Sequence, residues 1–123
     1  MKQNKKVQKV RAYLKKYVLC KNRFEYLDQY LKTETCDTTC KILSEDKDRM
    51  SVHCENVLLI MNYLAPDSLA RQILDKLYIQ GLSMDLTADA LGYSYGYCAN
   101  VEAEAMKQLS QIQEVVRLIG FIS

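Results

Sequence analysis

Met84-Asp85-Leu86-Thr87-Ala88-Asp89-Ala90-Leu91-Gly92-Tyr93-Ser94-Tyr95-Gly96-Tyr97-Cys98-Ala99-Asn100-Val101 is the stretch that decides the fold. As two short helices about a bend, it puts the needed residue types at fixed offsets. Two closely crossing helices require a small side chain, and Ala88 stands fifth from Met84. A backbone turning through positive φ requires glycine, and Gly92 stands ninth. Apolar residues are wanted eighth, tenth, fifteenth and eighteenth to hold the pair at an angle; these are Leu91, Tyr93, Cys98 and Val101. Thr87, in fourth place, departs from the apolar residue expected there. Ser83 and Ser94 can each cap the helix that follows. The pattern predicts a helix-turn-helix. A plain helical hairpin is the alternative, because capping alone explains Gly92 and Ser94.

Upstream, Ala65-Pro66-Asp67 breaks the chain, since proline is poor inside a helix and good at its start. A helix over 67–80 then buries Leu69, Ile73, Leu77 and Tyr78 and stops at Gly81. Another is expected from a cap at Ser44, with Glu45 and Asp46 in its first turn, to Leu64. Met50, Cys54, Val57, Met61 and Leu64 form its inner stripe. Residues 33–43 are polar and Thr-rich and read as a linker. Val7, Val10, Leu14, Tyr17, Phe24, Leu27 and Leu31 recur at helical spacing, so 1–32 reads as one long basic helix. Downstream of Ser94, Val101, Ala105, Leu109, Ile112, Val116 and Ile119 predict a single long C-terminal helix, and 67–119 form the helix-turn-helix region.

The chain has 123 residues, one proline and four glycines. That suits a single all-α domain over 1–123 with about five helices, and supplies too few turn residues for a β-sandwich. The longest apolar run is Val57–Met61, too short to span a bilayer, so no membrane partner is expected. The basic N-terminus lacks the apolar core of a secretory signal, and five cysteines are an odd set, so reduced thiols in the cytoplasm are expected.

Net charge is only +2, but residues 1–23 carry nine Lys or Arg and no acid, leaving eight bases against fifteen acids elsewhere. Such asymmetry suggests contact with something anionic, or with the chain's own acidic part. Cys36, Cys40, His53 and Cys54 approach the spacing of a zinc site but lack a suitable fourth ligand, so no metal is expected. His53 is the only histidine and the glycines form no phosphate loop, so neither an enzyme nor a cofactor site is expected.

The segment Ala70–Ser83, then Ala88, Leu91-Gly92-Tyr93-Ser94-Tyr95 and Ala105-Met106-Lys107-Gln108-Leu109, resembles the sigma-factor-like helix-turn-helix of phage transcriptional regulators, the ArpU-like family. Val10-Arg11-Ala12-Tyr13-Leu14-Lys15-Lys16-Tyr17 is similar to the Tyr- and Lys/Arg-rich helix with which such proteins begin. The resemblance implies a regulator of phage or mobile-element genes in a bacterial host cell, with the helix from Tyr95 in the major groove of double-stranded DNA.

The chain departs from that family on the outer face of the second helix, where Arg, Lys or His are usual. Here stand Gly96, Tyr97, Ala99, Asn100 and Glu102, and no Lys or Arg occurs between Leu77 and Met106, while Asp85, Asp89, Glu102 and Glu104 do. Phosphate neutralisation supplies most nonspecific DNA affinity, so charge would have to come from the first helix. Two readings stay open. In one, Tyr95, Tyr97, Asn100 and Glu104, with Lys9, Arg11, Lys15 and Lys16, meet DNA. In the other, the same residues meet a host protein with a basic surface, such as RNA polymerase or a CRISPR nuclease, as an inhibitor or adaptor. A homodimer through the apolar stripe Leu109 to Ile119 is expected with the first.

Overall fold

The computed structural model describes residues 5–120; Lys2, counted in the basic segment, lies outside them. Among the described residues the fold is all-α, with no strand. Val7, Val10, Leu14, Tyr17, Cys20 and Leu27 recur without a glycine or proline to interrupt them and build α1, Lys5–Leu31. Its partner α2 runs over Asp37–Met61. The two lie antiparallel: Tyr13 stacks on His53 at 3.9 Å, Arg23 meets Asp46 at 3.3 Å, and Lys47 meets Asp28 at 3.0 Å.

The expected linker over 33–43 and the cap at Ser44 are both corrected: α2 begins seven residues earlier and passes straight through Ser44. Glu34, from outside the helix, accepts the backbone N–H of Thr35 at 3.0 Å and of Cys36 at 2.9 Å, and Asp37 favours the helix dipole in the first turn. Nothing in Thr38 to Leu43 breaks a helix, so packing along α1 carries it through. At the other end Arg71 donates to the Met61 carbonyl at 3.2 Å, satisfying a C-terminal carbonyl of α2.

The next helix, expected from residue 67, starts two residues later. Ser68 accepts from the N–H of Arg71 and caps α3, Leu69–Leu74, which widens into a π-turn over Asp75–Ile79. Gly81 closes it at φ 73°, which favours glycine for the turn, and a Cβ there would press on Val18 of α1 at 3.2 Å. Then come α4, Met84–Leu91, and α5, Tyr95–Ser110.

The single long C-terminal helix is a second correction. α5 stops at Ser110, Ile112 is extended, and a separate α6 spans Gln113–Leu118. After the break Val115 enters the same core as Leu109, and both are fully buried. Of the stripe from Leu109 to Ile119, Leu109 is buried, while Ile112, Val116 and Ile119 remain half-buried. Inside, α1 touches α2, α5 and the π-turn. Leu14, Ile60, Ile73, Leu74 and Leu109 are fully enclosed, each contributing about 1.5–3 kcal/mol over its exposed state.

Candidate nucleic-acid interface

The bend forms as the spacing predicts. Ser83 accepts the N–H of Leu86 and Ser94 that of Tyr97, so each short helix has a side-chain cap. Gly92 sits at φ 78°; its N–H reaches the Asp89 carbonyl at 3.3 Å and the N–H of Tyr93 reaches the Ala88 carbonyl at 3.1 Å, a Schellman closure. Ala88 and Cys98 are buried where α4 and α5 cross, with Leu91 and Val101 half-buried beside them.

Tyr93 differs from expectation. It does not hold the helices together; its ring lies exposed, 5.2 Å from the ring of Tyr97. Thr87 takes an interior position instead, fully buried, and its hydroxyl has no hydrogen-bond partner among the described residues.

Glu102 is the larger correction. It does not lie on the outer face of α5. Cys98, Glu102, Ala105, Met106 and Leu109 share the inward stripe, and Glu102 is only 6 % exposed. Arg11 of α1 grips it bidentately, Nε to Oε2 at 3.0 Å and Nη2 to Oε1 at 2.9 Å, and the Tyr78 hydroxyl donates to Oε2 at 2.6 Å. Burial, then the bond to Glu102, pushes the Tyr78 phenol well above the ordinary tyrosine range, and the same carboxylate raises Arg11. Arg11, expected to meet a partner, is thus committed inside the molecule. A lone acid on a core stripe, 91 residues from its base, signals that a partner must exist but not which one.

With Glu102 withdrawn, the outer face of α5 carries Tyr97, Asn100 and Glu104, with Tyr95 exposed at its start. Glu104 is exposed and lies 3.8 Å from Lys107. The first two turns, from Tyr95 to Val101, hold no charged residue. Leu86 on α4 and Tyr93 in the turn are exposed too, as are Asp85 and Asp89 of α4.

Lys9, Lys15 and Lys16 are exposed on α1. Lys15 shares a cleft with Leu77, Gly81, Leu82 and Met84, so the basic helix borders the entry to α4.

His53 is engaged structurally: its Nε2–H donates to the Tyr13 carbonyl at 2.8 Å. Among the described residues no three His, Cys, Asp or Glu side chains are placed to hold a metal ion, and no helix is long and apolar enough to cross a membrane. Comparison of the chain with family models, curated proteins and solved structures gives no match.

Proposed function

We propose that the chain is a DNA-binding regulator of phage or mobile-element transcription that reads duplex DNA with the first two turns of α5. One observation carries the reading. Arg11 and Tyr78 take Glu102 out of the exposed surface, leaving Tyr95, Tyr97 and Asn100 on an uncharged, hydrogen-bonding ridge at a helix N-terminus. That ridge offers a phosphate backbone no fixed repulsion until Glu104, and Asn100 has the bidentate donor and acceptor that recognise adenine. Lys15 and Lys16 supply the phosphate contacts. The family resemblance of the sequence points the same way.

Few bases are available, so the salt response is expected to be shallow. With two to four phosphates neutralised, log K against log salt has a slope of about −2 to −4. Fluorescence anisotropy with a duplex, titrated at rising salt, measures it. Lys15→Glu with Lys16→Glu lowers affinity and flattens the slope by about two, leaving the fold intact. No binding even at low salt rules the reading out.

A second reading rests on a separate observation. Leu86, Tyr93, Tyr95 and Tyr97 are all exposed, and so are Asp85 and Asp89. Aromatic surface with an acidic rim also suits a basic protein, such as the nucleic-acid channel of a host polymerase or nuclease. It predicts no duplex binding in the same assay.

A further inference from the structure

The end of α2 and the whole of α6 enclose a groove of about 450 Å³, lined by Leu59, Asn62, Tyr63, Glu114, Arg117 and Leu118. Leu59 and Tyr63 remain exposed there, although both are large and apolar or aromatic. Glu114 and Arg117 stand one helical turn apart on its rim, both exposed, and neither forms an ion pair among the described residues.

We propose that this groove is a twofold interface between two copies of the chain. The argument is charge complementarity of a particular kind. A surface bearing one acid and one base at i and i+3 on a helix is its own complement when that helix meets itself antiparallel. The twofold axis then falls between Val115 and Val116, and Glu114 of each copy faces Arg117 of the other. In a twofold contact each pairing occurs twice, so two such charges give two ion pairs. Leu59 and Tyr63 of both copies close over the centre and lose their contact with water, which favours association. A basic or an acidic partner would satisfy only one of the two rim charges and repel the other. None of the stripe residues Leu109, Ile112, Val116 and Ile119 lines this groove.

The test uses the full chain without DNA, so its outcome is independent of the proposal for α5. Light scattering after size exclusion is expected to give a dimer at high micromolar concentration. Glu114→Arg alone sets two positive charges against each other across the axis, and Arg117→Glu alone sets two negative ones. Each weakens self-association by about tenfold or more. Mixing the two single variants restores a dimer containing one of each. Circular dichroism confirms that these exposed substitutions leave the helices intact, and Leu59→Glu, on the other helix, gives the same loss of dimer. A wild-type chain that stays monomeric overturns the proposal. So does a single reversal that dimerises as well as wild type, or a mixture that fails to recover.

Discussion

Thr87 occupies the one position of the helix-turn-helix where the sequence departs from an apolar residue, and the structure puts a cost on it. The side chain is fully buried and its hydroxyl unpaired among the described residues. A buried polar group without a partner costs roughly 1–3 kcal/mol. Thr87→Val, nearly the same shape, is therefore expected to stabilise the protein by about 1 kcal/mol in urea denaturation. Tyr78 is a second residue with a measurable signature. Its raised ionisation means that the folded state holds a proton which the unfolded chain gives up near pH 10. The stability that Tyr78 contributes is fully present below that pH and is lost progressively as pH climbs toward the raised folded value. Absorbance titration of the tyrosinates is expected to show a late component, and Tyr78→Phe to diminish it. A late component unchanged in Tyr78→Phe would contradict the buried Arg11–Glu102–Tyr78 network.

At the level of elements, glycines separate turn from helix. Gly92 is left-handed with nothing within 4 Å of where a Cβ would stand, so Gly92→Ala carries only conformational strain, about 1 kcal/mol. Gly96, inside α5 and equally uncrowded, behaves oppositely: Gly96→Ala is expected to stabilise by about 0.5–1 kcal/mol. Thermal melts of the two variants should move in opposite directions, and a shared sign would place the bend elsewhere. The same contrast explains which elements could be read from the sequence. α4 and the start of α5 announce themselves because Ser83, Gly92 and Ser94 act through local chemistry, each bonding within a few residues of itself. The start of α2 does not. Cys36 makes no side-chain cap bond, Glu34 bonds only the amides of Thr35 and Cys36 just ahead of the helix, and Ser44 looks like a cap while sitting mid-helix. The break between α5 and α6 lacks glycine and proline too; it follows from where the core wants Val115, which only the assembled fold specifies.

Across the whole molecule, one long-range bond reassigns the charges. The basic first helix was legible as a helix, and its lysines as a donor of positive charge, but Arg11 leaves that set once it closes on Glu102. The acidic second helix of the bend loses its central acid by the same contact. The first two turns of α5 are left without charge, Glu104 staying exposed beyond them, and α1 is fastened to α5 by the same contact. Spacing could find the ridge of Tyr95, Tyr97 and Asn100. It could not find the pairing that makes the ridge neutral, because no local rule links residues 11 and 102.

The most direct test of this picture is a two-dimensional amide NMR titration of the labelled full chain with a short random-sequence duplex at low salt. Shifts are expected to cluster on Tyr95 to Asn100 and on Lys15 and Lys16, and to fade as salt is added. Shifts confined to α2 and α6, or none at all, would contradict a DNA-reading role for α5.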